Sequence, residues 1–226
     1  MNSLLPKLNE KDVEQAQERY TSRYKEFGYS PKSLGWLKGK QDRRFEILTS
    51  QYSLENKSVL DIGCGFGDLN KHLANTVSAY EYTGIDLCEV LIAKGRELFT
   101  SSHVNFLCGD FLAHNFERKF DWALASGIFN HVLNENNNYD FVYSVMKKCH
   151  ETVSGGFSLD FIHDRVDYKD EHLFYANPET ILSYAYSLSR RVVLRSDYMP
   201  FEFSIFVFKD DCFDREDTIF CEYKRG

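Results

Sequence analysis

The chain has 226 residues, of which 43% are hydrophobic and 15% aromatic, and its formal net charge is −7 at pH 7. This composition can build a substantial core, which argues against disorder, and the acidic balance argues against a nucleic-acid partner, whose phosphates are bound mostly by Lys and Arg. The six cysteines are spaced singly, which predicts reduced thiols and neither a disulfide frame nor a zinc site. The sequence shows no signal peptide and no apolar run of about 18 residues, which predicts a cytoplasmic chain without a membrane span.

Residues 1–54 are predicted to form a helical lid or cap in front of the main domain. Helical patterns extend from Val13 to about Phe27 and from Leu37 to about Tyr52, and a loop rich in turn formers separates them. Aromatic residues are dense in this segment, and the alternative to a lid is a solvated helix face with these aromatics packed on the sheet edge. Three arginines of the same segment are candidates for binding an anionic ligand group: Arg23, Arg43 and Arg44.

A buried strand and a glycine-rich turn follow at residues 58–68, which read Ser-Val-Leu-Asp-Ile-Gly-Cys-Gly-Phe-Gly-Asp. The apolar, partly β-branched run before the turn is typical of a parallel strand. Gly63, Gly65 and Gly67 allow a sharp turn and let a ligand lie against main-chain atoms. A helix can begin at Asp68, so the segment predicts a cradle for a nucleotide-type ligand.

The glycine spacing separates this loop from the common phosphate-binding loops. The dinucleotide fingerprint needs glycine at its first, third and sixth positions, and the sixth position counted from Gly63 is Asp68. A P-loop also fails, because no Gly-Lys-Ser/Thr follows. Asp61, inside the strand, would repel a pyrophosphate and suits a cationic group such as an amine. An NAD(P)-dependent oxidoreductase is therefore the weaker alternative.

An acid followed by Gly-x-Gly-x-Gly resembles the first motif of the class I S-adenosylmethionine-dependent methyltransferases. The resemblance implies that Gly63 and Gly65 pass along the methionine part of the cofactor and that Asp61 helps to hold its amino group. The methionine carboxylate needs a positive partner. Among the three arginines of the lid, Arg44 is favoured for this role by its position, with Gln41 nearby.

Acids end the next two predicted strands. Asp86, followed by Leu87, ends a strand that begins at Tyr82, at a distance from the glycine loop typical of an acid that binds ribose hydroxyls. A surface acid that caps the next helix is the alternative interpretation. After a third strand over residues 104–108, the resemblance implies that Asp110 accepts a hydrogen bond from the adenine amine and that Phe111 stacks on the ring.

A fourth strand over residues 120–127 leads to the predicted reaction centre. Ser126 would lie at its carboxyl end beside the sulfonium. His131 is the candidate catalytic base, because imidazole titrates near neutrality, although a histidine here can also be structural. Other polar residues follow later strands and are candidates for acceptor contacts, without a predicted metal site: Asp160, His163, Asp164, Asp197, Tyr198 and Glu202.

The remaining patterns complete an alternation of strands and helices. A helix over 138–150 is followed by Ser154-Gly155-Gly156 as its predicted stop, a fifth strand spans 157–162, and a helix capped by Asn177 extends to about 188. A strand pair over 191–194 and 203–208 closes the chain. The resemblance then implies a Rossmann-like, doubly wound α/β sheet of seven strands with the last antiparallel, with residues 55–226 as the core domain.

These features predict an enzyme that binds S-adenosyl-L-methionine and methylates a small-molecule acceptor, as a monomer or homodimer. O-methylation of a metabolite, a natural product or a surface-glycan precursor is favoured. An N-methyltransferase and a non-catalytic, regulatory S-adenosylmethionine-binding protein are the alternatives that the residues leave open.

Overall fold

A seven-stranded sheet organises the computed structural model, which describes residues 8–36, 40–134, 137–210 and 212–213. The strand order is β3-β2-β1-β4-β5-β7-β6, and the first five strands in this order are parallel to one another. β7 is antiparallel to both β5 and β6, so the predicted Rossmann-like sheet with an antiparallel last strand is confirmed. The strands are β1 Lys57–Ile62, β2 Tyr80–Asp86, β3 Val104–Cys108, β4 Phe120–Ala125, β5 Val153–Ile162, β6 Val192–Arg195 and β7 Glu202–Phe208.

Helices cover both faces of this sheet, and asparagines cap several of them. The side chains of Asn9, Asn137 and Asn177 each accept a hydrogen bond from a backbone N–H in the first turn that follows, which satisfies a donor that has no partner within the helix. In the described residues, no helix is long and apolar enough to cross a membrane. The helices are α1 Glu10–Phe27, α2 Gln41–Leu48, α3 Asp68–Thr76, α4 Glu89–Leu98, α5 Asn138–Thr152 and α6 Pro178–Leu188.

The hydrophobic core lies in two layers because successive side chains of a strand point to opposite faces. Along β1, Leu60 and Ile62 pack in the cluster under α5 and α6, whereas Val59 packs in the cluster under α2 and α3. Both clusters are made of fully buried residues. This double burial explains why the central strands are apolar at nearly every position.

The prediction that Ser154-Gly155-Gly156 ends a helix is wrong, because these residues belong to a strand. α5 ends at Thr152 and β5 begins at the next residue, so both glycines lie inside the strand. A Cβ at Gly156 would lie 2.3 Å from the Trp122 ring and 2.5 Å from the carbonyl oxygen of Val207. The glycines are therefore needed for close packing between strands and not for ending a helix.

The N-terminal segment forms two helices, as predicted, with different bounds. α1 begins earlier than the periodicity indicated, and α2 ends at Leu48 instead of near Tyr52. Residues 37–39, where the second helix was predicted to begin, lie outside the described residues. Beyond α2, the Tyr52 ring stacks on Trp122 at 3.6 Å between centroids, so this segment packs on the sheet. The division into a lid of residues 1–54 and a core stays a prediction.

Candidate cofactor and acceptor site

One cavity collects nearly all the residues that the sequence predicted for the site. It lies at the carboxyl ends of β1, β2 and β4, where the order of strands reverses direction and open α/β sheets bind their ligands. α1 covers it from the side opposite the sheet edge. The predicted residues that line the cavity are Asp61, Gly63, Gly65, Asp86, Leu87, Asp110, Phe111, Ser126 and His131.

The glycine loop is held in a conformation that only glycine adopts without strain. Gly63 and Gly65 have φ angles of +69° and +55°, and a Cβ at Gly63 would lie 2.3 Å from Cγ2 of Ile128. Gly67 has a φ of +84° and packs against the Phe106 ring, which lets α3 lie close to the sheet. The third glycine therefore serves helix packing one position earlier than in the dinucleotide fingerprint.

Asp61 is a buried carboxylate at the base of the cavity. Its Oδ2 accepts a 2.6 Å hydrogen bond from the Tyr82 hydroxyl, and its residue is 5% exposed. Burial raises the pKa of Asp61 to about 7. The carboxylates of Asp86 and Asp68 also raise this pKa, whereas the hydrogen bond from Tyr82 lowers it. Among the described residues it has no cationic partner. The site is thus arranged to receive a cation beside this carboxylate.

Asp86 is held rigidly at the end of β2. One carboxylate oxygen accepts from the backbone N–H of Gly65 at 2.9 Å, and the other accepts from that of Cys88 at 2.8 Å. Burial raises the pKa of Asp86, and these N–H donors partly oppose the rise. Because each carboxylate oxygen can accept a second bond, the oriented group can still receive two hydroxyls.

The Asp110-Phe111 pair follows β3 at the predicted place. Asp110 accepts a 2.8 Å hydrogen bond from the Leu112 backbone N–H, which shapes the turn. The Phe111 ring is 6% exposed and packs on Phe116, with the Lys148 ammonium 5.3 Å from its centroid. Phe111 therefore touches the cavity mainly as a core residue, and its stacking on an adenine ring stays a prediction.

Asp160 lies behind the cavity wall instead of in it. The Ser126 hydroxyl donates to its Oδ2 at 2.5 Å and the Gly127 N–H donates to its Oδ1 at 2.7 Å. Gly127 has a φ of +76°, so this carboxylate holds the turn after β4 in shape. Asp160 was predicted to face the acceptor, and the structure gives it a supporting position because β4 and β5 are neighbours in the sheet.

The other predicted acceptor residues are engaged in local contacts. Asp164 accepts from the Asn177 side chain at 2.9 Å, and the Nδ1 of His163 accepts from the Arg165 backbone N–H at 3.0 Å. Across the described ranges, no group of three or more His, Cys, Asp and Glu side chains is placed to hold a metal ion. Further along the chain, Asp197 pairs with Arg195, and the hydroxyls of Tyr198 and Ser204 are hydrogen bonded.

Arg44 lies outside the cavity, contrary to its predicted role. Its Nε donates to Oε2 of Glu202 at 2.8 Å, and a second bond from Nη2 completes a two-pronged ion pair. The guanidinium also stacks on Trp36, 4.2 Å from the ring centroid. Arg44 has its charge neutralised by Glu202, so it is poorly suited to bind a second carboxylate.

Of the three arginines predicted to bind an anionic group, Arg23 is the one without a carboxylate partner among the described residues. Arg43 pairs with Glu46 at 2.7 Å on the surface. The Arg23 guanidinium lies against Gly35, where a Cβ would be 2.6 Å from its Nη1, and it forms no ion pair with a described carboxylate. Leu34, next to Gly35, packs over Gly65, so Arg23 is near the glycine loop.

α1 contributes cavity residues that sequence reasoning missed. Asp12, Arg19 and Tyr20 line the cavity, together with Gln15 and Ala16 between them. Residues three, four and seven apart share a helix face, so this spacing was the available signal. It was obscured because the face is polar and the usual apolar stripe is weak.

His131 lines the cavity in the segment that follows β4 and is half-buried. It forms an isolated β-bridge with Leu173, which joins the segment after β4 to the loop after β5. Burial lowers the pKa of His131 to about 4, with the charges of Arg19 and Arg23 contributing to this shift. The imidazole is therefore neutral at physiological pH.

Comparison with known proteins places this arrangement in context. A family model described as a methyltransferase domain matches residues 59–152. A Mycobacterium tuberculosis protein named as a methyltransferase is 28% identical over 158 residues, covering 67% of this chain and 93% of that protein. The ubiquinone biosynthesis O-methyltransferase of Hydrogenovibrio crunogenus is 34% identical over 93 residues, covering 39% of this chain and only 38% of that enzyme.

Solved structures share the fold. The magnesium protoporphyrin IX methyltransferase of Synechocystis PCC 6803, solved with bound SAM, has a TM-score of 0.63 at 14% identity and covers 93% of this chain and 100% of that chain. DhpI, solved as a complex with SAH, has a TM-score of 0.62 at 14% identity, covering 91% of this chain and 97% of that chain. At these identities the likeness concerns the arrangement of strands and helices.

Proposed function

The chain belongs to the class I S-adenosylmethionine-dependent methyltransferases, and from this premise we propose that it methylates a hydroxyl oxygen of a small-molecule acceptor. The supporting observation is one continuous cavity that joins the acids at the ends of β1, β2 and β3 to a second region around His131. A cofactor in the first region and an acceptor in the second would lie in contact. Relatives with O-methyltransferase names add support for oxygen as the methylated atom.

We propose a separate partner for each part of the cofactor. Asp61 fits the ammonium, because it is a buried carboxylate without a cation, and Asp86 fits the ribose diol, because its oxygens are oriented by two backbone N–H groups. Asp110 is assigned to the adenine amine on its position after β3. Arg23 replaces Arg44 as the partner of the methionine carboxylate, because its charge is not neutralised by a described acid.

The chemistry needs little beyond placement. S-adenosylmethionine supplies an activated methyl group when bound, so this chain has to position the acceptor in line, exclude water and accept a proton. The neutral imidazole of His131 can accept the proton of an acceptor hydroxyl. We propose that residues 1–54 act as the lid, since α1 covers the cavity.

A titration of the cofactor product tests this assignment. We expect the purified chain to bind S-adenosylhomocysteine by isothermal titration calorimetry and not to bind NADH. Binding of NADH alone would refute the proposal, and binding of S-adenosylhomocysteine without turnover on any acceptor would favour the regulatory alternative.

The Asp86→Ala variant tests the ribose assignment in the same assay. We expect its affinity for S-adenosylhomocysteine to fall by about tenfold to a hundredfold, because charge-assisted hydrogen bonds to the diol are lost. Glu89→Ala is the matched control, since Glu89 is an exposed acid in the first turn of α4. Near-wild-type affinity in Asp86→Ala would show that the ribose is bound elsewhere.

A further inference from the structure

Two arginines lie on one face of α1: Arg19 lines the cavity, and Arg23 lies against Gly35. Arg19 and Arg23 are one helical turn apart, and both charges lower the pKa of His131 and oppose the rise that burial gives the pKa of Tyr20. Like charges four residues apart repel each other on a helix, which is a cost to the folded chain. Anions bound between helix and sheet would remove that cost.

Arg19 has no carboxylate partner of its own. It lines the cavity and is half-buried, and no ion pair joins it to any acid in the described ranges. Asp12, two turns away on the same face, forms no ion pair with Arg19: its Oδ1 accepts two bonds from Asn134, and its buried Oδ2 has no hydrogen-bond partner. The positive charge of Arg19 is thus available to a ligand.

The cofactor has one carboxylate and would therefore pair with only one of the two arginines, Arg19 and Arg23. Arg23 lies beside Gly35 and the glycine loop, where the methionine carboxylate is proposed to bind. Arg19 lies one turn closer than Arg23 to Asp12, which accepts hydrogen bonds from Asn134 in the segment after His131, so Arg19 lies toward the acceptor end of the cavity. The lining there includes the apolar residues Leu133, Phe141 and Val145, together with the hydrogen-bonded Asp12.

We propose that Arg19 binds an anionic group of the acceptor, which makes the acceptor a small hydroxy acid with an apolar body. This proposal rests on the proposed methyltransferase function and specifies its substrate class. The carboxylate would pair with the guanidinium, the apolar body would lie on the α5 side of the cavity, and the hydroxyl would face His131. Arg19 would then select against neutral analogues of the same shape.

Paired probes test the proposal in the protein loaded with S-adenosylhomocysteine. Three hydroxy acids are each compared with the matching primary amide: 4-hydroxybenzoate, 3-hydroxycinnamate and 3-hydroxydecanoate. For at least one pair, calorimetry should show the acid bound about tenfold tighter than the amide, as expected for a charge-assisted bond. Arg19→Met should remove this preference and Arg19→Lys should keep part of it. Lys25→Met, on the exposed side of α1, should leave it unchanged within about twofold.

The affinity for S-adenosylhomocysteine separates this proposal from the cofactor assignment. It should stay within about twofold of wild type in Arg19→Met and fall by about tenfold in Arg23→Met. Equal or undetectable binding of acid and amide in all three pairs, a preference that survives in Arg19→Met, or a cofactor loss in that variant would each overturn the proposal. Failure of the wild-type chain to bind S-adenosylhomocysteine would instead refute the proposed function.

Discussion

At the scale of single residues, the proposed pairing of Asp61 with the cofactor ammonium is expected to make cofactor binding depend on pH. The pKa of Asp61 is about 7 in the free protein, so it is partly protonated at neutral pH. An ammonium group pairs only with the ionised form. Because its pKa is raised, the Asp61 carboxyl keeps its proton up to about pH 7 in the free protein. Binding of an ammonium group must therefore release this proton below pH 7 and releases none above it.

We expect the affinity for S-adenosylhomocysteine to fall by up to about tenfold for each pH unit below 7 and to level off above 7. Calorimetry over pH 5.5–8 in two buffers of different ionisation enthalpy measures both the affinity and the released proton. Asp61→Asn should bind more weakly with a flat profile. Glu97→Gln is the control, since Glu97 is an exposed acid of α4 that pairs with Lys94, and it should keep the slope. A flat wild-type profile would contradict the ammonium assignment.

His131 is expected to act as a weak base that is already deprotonated. Because its pKa is lowered to about 4, it should not titrate between pH 6 and 9, and its proton affinity is low for general-base work. Replacing it with Ala should lower kcat by about a hundredfold, at the lower end of general-base effects, without changing the pH profile over that range. Steady-state kinetics with an identified acceptor measure this. Unchanged turnover would remove His131 as the base.

At the scale of elements, the β4–β5–β7 packing depends on Gly156. A side chain there would meet the Trp122 ring and the Val207 carbonyl, and backbone cannot move away without separating strands. Gly156→Ala should lower the free energy of unfolding by about 3 kcal/mol. Denaturant unfolding followed by circular dichroism measures it.

Ser154→Ala is the matched control for the Gly156 variant. Ser154 is exposed at the start of the same strand and makes one hydrogen bond to the Phe120 carbonyl, so its loss should cost less than about 1 kcal/mol. If Gly156→Ala is no more destabilised than this control, the close approach of Trp122 does not constrain the strand.

At the scale of the whole molecule, Arg44 and Glu202 join α2 to β7. Their side chains are only 12% and 11% exposed, and Arg44 stacks on Trp36, whose ring packs on Gly127 beside the cavity. Arg44→Met leaves the Glu202 carboxylate buried without a cation, so the free energy of unfolding should fall by about 3 kcal/mol. Chemical denaturation of the single and double variants measures the coupling.

The same variants decide between two roles for Arg44. Arg44→Met with Glu202→Gln should regain most of the lost stability, and affinity for S-adenosylhomocysteine should remain within about twofold of wild type in the folded double variant. A tenfold loss of that affinity without loss of stability would instead support the role in carboxylate binding first predicted for Arg44.

The amino-acid sequence by itself determined the order of elements, the glycine spacing and the acids that end β1, β2 and β3. Those signals are local. In a parallel sheet the carboxyl ends of neighbouring strands lie at the same edge, which is why one cavity is lined by Asp61, Asp86 and Asp110. The choice of a methyltransferase over a dinucleotide-binding enzyme followed from the same short segment.

Only the tertiary structure decided which long side chains reach the cavity and which strands need glycine. Arg44 pairs with Glu202, which is 158 residues away in the chain, and Gly156 packs against Trp122 of a neighbouring strand. No local sequence pattern encodes either contact. An arginine has several rotatable bonds and can pair with any acid that folding brings near, so its role depends on distant residues. Arg19 and Arg23, left without described partners, therefore emerged as ligand-binding candidates once α1 was seen over the cavity.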